Sequence, residues 1–426
     1  MEARTQAHDL LKTFKGDRYV CGSGVLSQAG RLARELGSRA LVFANTGGWH
    51  HALTESVLSS LRLAGVETLG GRAFAGARPN SPREDVYRME ALILQANPDV
   101  IVAIGGGSVI DAAKAAIALA ALGLACPALD PLFGASQVTA FASQAGAHLI
   151  PLLAVQTAAG SAAHLTKYSN ITDPVAGQKK LIIDDAIVPP RALFDYDTLQ
   201  SAPEALLVDG ILDGLSHNLE VFFGAPADRL NTLSPISLTG IGLLLTHALP
   251  AIHARQTQDM EAVGLGTDLG GYAIMAGGTN GPHLNSFSFV DVVSHGRACG
   301  LLNPYYTVLF ADAIESRLRL VGERLLKAGL IPAPTGALQG RELGLVVAAG
   351  LMEFNKRLGA PVALSELPGF DPAHIRRALT AARDPALESK LKNMPVPMKT
   401  EQVESLMAPL LQAAWEGRLD KVPALS

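Results

Sequence analysis

Asp213-Gly-Leu-Ser-His217 sets a carboxylate and an imidazole four residues apart, which on a helix puts both side chains on one face within reach of a single cation. His283 and His295 follow in segments with helical patterning. One Asp with three His is a donor set for a divalent transition metal, with a position left for a reacting ligand. Far upstream, the apolar run Ile101-Val-Ala-Ile104 leads into Gly105-Gly106-Gly107-Ser108 and then Val-Ile-Asp111-Ala-Ala-Lys114. A strand ends there, glycines turn the chain and a helix begins, so free backbone N–H groups and the positive end of the helix dipole are offered to a pyrophosphate. The glycines remove Cβ atoms that would hold a ligand off the backbone, and Ser108 can cap the helix and bond a phosphate oxygen. This is neither the G-x-G-x-x-G fingerprint nor a Walker A loop, and an ordinary glycine-rich turn reads the same way. A metal site and a dinucleotide site in one chain point to hydride chemistry.

The elements that must carry these residues follow from periodicity. Arg39-Ala-Leu-Val-Phe-Ala-Asn45 and Asp99-Val-Ile-Val-Ala-Ile104 read as buried parallel strands. Helical patterns over 52–64, 82–96 and 109–122 complete a β-α-β alternation. After Arg191 strand-like runs become rare, and long helical segments follow at 206–223, 234–254 and 343–358. Pro189-Pro190 marks the expected junction, because consecutive prolines block a continuing helix. The expected fold is thus an α/β dinucleotide-binding domain with a parallel sheet over residues 1–195 and an all-helical metal-binding domain over 196–426. Asn45 closes the first strand near where an acidic residue often takes a ribose 2′-hydroxyl; being neutral, it leaves both NAD and NADP open.

Composition narrows the function class. Only 17% of the 426 residues are charged and the net charge of −4 is spread without long like-sign runs, which excludes a basic nucleic-acid-binding face and favours a small-molecule partner. Cys21, Cys126 and Cys299 lie far apart without C-x-x-C spacing, so a reduced cytoplasmic protein is expected. The N-terminus lacks the apolar stretch of a secretory signal. The most apolar stretch, Ala112 to Cys126, reads as a buried helix too short for a bilayer span of roughly 20 residues, so no membrane partner is expected.

The segment Gly105 to Lys114 matches GGGS-x-x-D-x-x-K, and with it the chain resembles the iron-containing (group III) alcohol dehydrogenase family. Arg78-Pro79-Asn80-Ser81-Pro82 resembles that family's Pro-Asn-Pro loop, and Thr157-Ala-Ala-Gly160-Ser161-Ala-Ala-His164-Leu-Thr166 its cofactor loop, with His164 where a glutamate is usual. Ile171-Thr-Asp173, Lys179 and Asp195 fall at family spacing, with Tyr196 replacing a proline. Asp213 to Glu220 is similar to Asp-Ala-Leu-Thr-His-Ala-Ile-Glu, and His295-Gly296-Arg297-Ala298 to a His-Gly-x-Ala-x-Ala pattern; the gap from His283 to His295 is shorter than usual, and Phe287 or a neighbour stands where a further histidine is common.

The resemblance implies a dehydroquinate synthase-like architecture. It makes Asp213, His217, His283 and His295 the metal ligands and catalytic set, with Fe²⁺ as the metal, although intrinsic affinity favours Zn²⁺. It points Gly105, Gly106, Gly107, Ser108, Asp111, Thr157, Ser161, Thr166 and Lys179, together with Asn45, at NAD or NADP. The reaction implied is reversible hydride transfer between nicotinamide and an alcohol or its aldehyde or ketone, in a homo-oligomer, expected to be a dimer. Alternatives are a polyol or glycerol-type dehydrogenase, a dehydroquinate synthase-like enzyme, or a cofactor-binding protein without turnover, the last prompted by Ala162-Ala163-His164. His50, His51, His148, His247, His253 and His374 receive no role, and Arg297 is expected in a structural ion pair.

Overall fold

A computed structural model describes residues 2–45 and 47–425. Among the described residues there are ten strands: β1 Tyr19–Gly22, β2 Arg39–Ala44, β3 Glu67–Thr68, β4 Phe74–Ala75, β5 Val100–Gly105, β6 Gly134–Ala135, β7 Leu152–Gln156, β8 Tyr168–Asp173, β9 Gln178–Ile183 and β10 Arg191–Asp195. The main sheet has the order β1-β10-β7-β5-β2-β3, with β4 also on β2, and every pairing in it is parallel. A second, three-stranded sheet runs β6-β9-β8.

Alternation explains why the main strands are apolar throughout. Leu41 and Phe43 of β2 join Ile101 and Ala103 of β5 in one core, whereas Ala40, Val42 and Ala44 join Val100, Val102 and Ile104 in the other. Both faces are covered, and each fully buried Val, Leu, Ile or Phe contributes about 1.5–3 kcal/mol. From β2 the chain steps outward to β3, while β5, β7 and β10 step the other way. The carboxyl ends of β2 and β5 therefore flank the topological switch point, the place where open parallel sheets bind ligands. Asn45 follows β2 there, and the glycine turn follows β5.

Helix α1, Gly107–Leu122, starts from that turn. Its continuation Gly107–Ala125 spans 19 residues and is apolar enough to cross a membrane by length and composition alone, longer than the sequence reading allowed; Ala227–Ala254 passes the same test. Sixty-seven per cent of the first window is inside the α/β unit, where α1 supplies much of one core.

Among the described residues no strand follows Asp195, and the rest is helical. Helix α2, Glu204–Gly224, is buried at every position from Gly210 to Phe223, as expected of a central helix rather than a surface amphipathic one. Helices α3, Leu230–Ala254, and α4, Thr257–Ala276, pack on it. Gly214 permits the α2–α4 crossing, since a Cβ there would stand 2.6 Å from Thr267 Cγ2.

The compact units are residues 12–203, and 204–425 together with 2–11. The division lies later than the expected 195/196, and Pro189-Pro190 lead into β10 instead of marking it. Thr198 explains the shift: its hydroxyl donates to Asp195 O at 2.7 Å, tying the short helix Thr198–Ser201 to the end of β10. The first residues join the helical unit through Arg4, whose guanidinium meets Glu261 at 2.7 Å, with His8 at 3.1 Å from the same carboxylate.

Candidate metal centre and dinucleotide turn

In the helical unit, α5, Gly281–Ser286, and α6, His295–Leu309, bring His283 and His295 to α2. Asp213 Oδ1 is the point of convergence. His283 Nε2 lies 3.4 Å from it, and His217 and His295 Nε2 each 3.7 Å. Four donors bound at about 2.0–2.3 Å in a tetrahedron stand roughly 3.3–3.8 Å apart, so this spacing suits one cation among them. Asp213 Oδ1 and His283 Nε2 are buried without a hydrogen-bond partner, a cost of about 1–3 kcal/mol each that ligation would offset. On these grounds the residues fit a divalent metal.

The surroundings aim the donors. His283 Nδ1 lies 2.6 Å from the buried Glu220 Oε1, which fixes that ring with Nε2 towards Asp213, while His295 Nδ1 lies 3.0 Å from Ser286 Oγ. His217 stacks on His283 with ring centroids 4.7 Å apart. Gly296 lets α6 reach α2, because a Cβ would run into the Asp209 carbonyl. Arg297 forms the expected ion pair, 3.2 Å from Asp209.

Burial opposes the charge on Asp213, yet His217, His295 and His283 hold its carboxyl well below the ordinary carboxylate range. Burial brings His217 down to about 4. His283 moves the opposite way: despite burial it is raised well above the ordinary imidazole value by Cys299 and Glu220. Burial likewise brings the Lys390 ammonium down to about 8. Asp213 is thus an anion and His217 a neutral imidazole near neutral pH, the states in which both ligate.

Two residues near the cluster had no assigned role in the sequence reading. Cys299 Sγ belongs to the tight donor group with Asp213, His283 and His295, all within 4.8 Å of one another, a group that His217 falls outside. Lys390 Nζ sits 5.5 Å over the Phe287 ring and donates to Thr279 Oγ1. Phe287 stacks on His295 at 5.6 Å. Cys299 was detectable, since it follows His295 by four residues on one helix face, and Glu220 follows Asp213 by two turns. Lys390 lies about a hundred residues away, beyond any local spacing rule.

In the α/β unit the glycine turn is shaped by packing. A Cβ on Gly105 would meet Val109 at 2.6 Å, on Gly106 Ala158 at 3.2 Å, and on Gly107 Ser161 at 2.8 Å. Gly106 and Gly107 therefore admit the 157–161 loop, and Gly105 admits Val109 in the first turn of α1. Thr157 N–H donates to Gly105 O at 3.1 Å, holding that loop at the end of β5. Ser108 lies within the first turn of α1 and is not the cap; Gly106 holds that position. The Ser108 hydroxyl instead accepts Asn80 N–H at 3.0 Å, and Ser108 O accepts the Ser81 hydroxyl at 2.9 Å, seating the 78–82 loop with Asn80 and Ser81 at φ 67° and 49°.

The remaining expected cofactor residues separate into two groups. Asn45 stands at the switch point and donates to Ala77 O at 3.4 Å. Ser161 Oγ accepts Ala163 N–H at 3.3 Å beside the turn. Asp111, Thr166 and Lys179 are turned inward. Asp111 Oδ2 takes Asn170 N–H at 3.0 Å, and Lys114 Nζ donates to Thr166 O and Tyr168 O at 2.8 Å each, stitching α1 to β8. His164 packs between Tyr19 and Phe194, with ring centroids 5.2 and 5.6 Å away. Of the unassigned histidines, His247 pairs with Asp259 at 2.6 Å and His374 with Asp371 at a helix start.

A family model described as iron-containing alcohol dehydrogenase matches residues 16–196. The chain is 25% identical over 353 residues to the NAD-dependent methanol dehydrogenase of Bacillus methanolicus, covering 82% of this chain and 87% of that protein. With the NADPH-dependent butanol dehydrogenase of Clostridium saccharobutylicum it shares 26% identity over 243 residues, 55% of this chain and 57% of the relative. The solved alcohol dehydrogenase from Oenococcus oeni superposes with a TM-score of 0.78 at 21% identity, covering 93% of this chain and 98% of the other.

Proposed function

We propose that this chain, whose residues 16–196 match the iron-containing alcohol dehydrogenase family, is a metal-dependent NAD(P) alcohol dehydrogenase interconverting small alcohols with their aldehydes or ketones. The observation that carries this reading is the convergence of three imidazole Nε2 atoms within 3.4–3.7 Å of one buried carboxylate oxygen. Asp213, His217, His283 and His295 would hold the metal. Bound there, a divalent cation supplies Lewis acidity that lowers the proton affinity of an alcohol oxygen and polarises a carbonyl.

The protein's own part is electrostatic and positional. Asp213 supplies the negative charge that holds a dication in a buried site. Glu220 accepts the Nδ1 proton of His283, so that a cation displacing the Nε2 proton would meet that nitrogen aimed at Asp213. The buried Phe287 ring, stacked on His295, covers one side of the cluster. In the other unit, the first N–H groups of α1 and the turn Gly105–Gly107 would bind the pyrophosphate, and Asn45 the adenosine ribose. The nicotinamide they anchor supplies the hydride acceptor. NAD and NADP both fit a neutral Asn45.

A metal-reconstituted screen tests the proposal: Fe²⁺ or Zn²⁺ with NAD⁺ or NADP⁺ across small alcohols and polyols, followed by nicotinamide absorbance, with His217→Ala as control. Turnover that needs the metal and is lost in the control is expected. Cofactor binding without turnover under any combination would favour a binding protein instead.

A further inference from the structure

We propose that Cys299 is a metal ligand in this chain, its thiolate completing a compact set with Asp213, His283 and His295, so that the site takes a thiophilic divalent cation such as Zn²⁺. The inference rests on the metal-dependent reading above and goes beyond its ligand set of one carboxylate and three imidazoles.

Three observations carry it. Cys299 Sγ and one donor atom from each of Asp213, His283 and His295 all lie within 4.8 Å of one another, with Sγ 4.0 Å from His295 Nε2. Cys299 is buried, as are Asp213 and His283, and the Asp213 and His283 atoms that face the group have no hydrogen-bond partner. The helix fixes the approach: His295 and Cys299 are one turn apart on α6, as Asp213 and His217 are on α2, so two i,i+4 pairs face each other. With Nδ1 beside Ser286, His295 is left to ligate through Nε2.

The set Asp-His-His-Cys combines hard and soft donors. A thiolate selects for Zn²⁺ over Mn²⁺ or Mg²⁺, which prefer oxygen ligands. Binding breaks the S–H bond, forms a sulfur–metal bond and releases one proton to solvent, with no change of oxidation state. His217 lies outside the tight group, but its Nε2 is 3.7 Å from Asp213 Oδ1, so it stays within reach of the cation while its ring stacks on His283.

X-ray absorption of the zinc-loaded full-length protein tests this without reference to turnover. One sulfur scatterer at about 2.3 Å is expected, retained in a Cys21→Ser, Cys126→Ser double variant and absent in Cys299→Ser. Cobalt loading gives a parallel readout, a thiolate-to-cobalt charge-transfer band that only Cys299→Ser removes. The wild-type spectrum alone decides the matter should Cys299→Ser fail to fold. Stoichiometric zinc with only nitrogen and oxygen neighbours would overturn the thiolate ligand and leave the metal-dependent reading standing. Folded protein that retains no zinc, iron or cobalt would overturn both.

Discussion

Glu220 touches no substrate in this account, yet it sets the donor orientation of His283 through a 2.6 Å contact. Replacing it with Gln keeps the shape but removes the carboxylate that holds the Nδ1 proton. Glu220→Gln is expected to weaken metal affinity roughly 10–100-fold, measured by chelator competition, with the fold intact by circular dichroism. Unchanged affinity would mean that the His283 ring is positioned by packing alone. Asp213 and His217 were legible because four residues is one helical turn, and Glu220 lay in the same motif. Cysteine spacing along the chain hides Cys299, whose nearest cysteine is far off, whereas the histidine one turn before it marks a shared helix face. Asp111 belongs to the glycine-turn motif, yet its carboxylate accepts Asn170 N–H from β8, and a sequence pattern does not distinguish a side chain aimed at a ligand from one that ties its own helix to a strand.

Among the elements, α6 and α1 carry the strongest constraints. Gly296 is the only residue type that lets α6 lie against the Asp209 carbonyl. Gly296→Ala must push α6 away from α2, separating His295 from Asp213, and is expected to lower metal occupancy by atomic absorption together with the melting temperature. Normal occupancy would contradict the close crossing. On α1, Lys114 is buried, bonded to two carbonyls of the 166–168 segment and 3.9 Å from Asp111. Lys114→Met leaves Asp111 buried without its cation and is expected to destabilise the α/β unit by about 3–5 kcal/mol in urea unfolding.

The pH dependence of the same lysine has a definite sign. Burial brings its amine from 10.5 down to about 8 in the folded state. Between those values the unfolded chain holds the proton and the folded chain does not, so wild-type stability relative to Lys114→Met rises as the pH goes from about 8 to about 10. A flat or falling difference would show that the folded amine keeps its proton. The main strands were legible because burial on both faces leaves continuous apolar runs, as in β2 and β5. The pair β8 and β9 was not, since Tyr168–Asp173 and Gln178–Ile183 mix polar and apolar residues on a small sheet. Pro189-Pro190 reads equally well as a linker and as the lead into a strand, and here it precedes β10.

At the scale of the whole molecule, each unit carries one proposed ligand, and each ligand stabilises what it binds by mass action. Removing metal with a chelator is expected to destabilise the helical residues 204–425, and adding NAD⁺ or NADP⁺ to stabilise residues 12–203 by about 2.7 kcal/mol at a hundred times the dissociation constant. Hydrogen exchange resolved by peptide separates the two responses. Metal removal that left the peptides around Asp213, His283 and His295 unaffected would place the cation elsewhere.

The central claim is that this chain passes a hydride from an alcohol to a nicotinamide with a metal held at Asp213. The measurement that meets it most directly follows the hydride itself: carbinol-deuterated alcohols with NAD⁺ or NADP⁺, and mass spectrometry of the reduced cofactor. The account predicts deuterium in the nicotinamide with metal-loaded protein, and none after metal stripping or with Asp213→Asn. Deuterium transfer that persists in the stripped protein or in Asp213→Asn would contradict it.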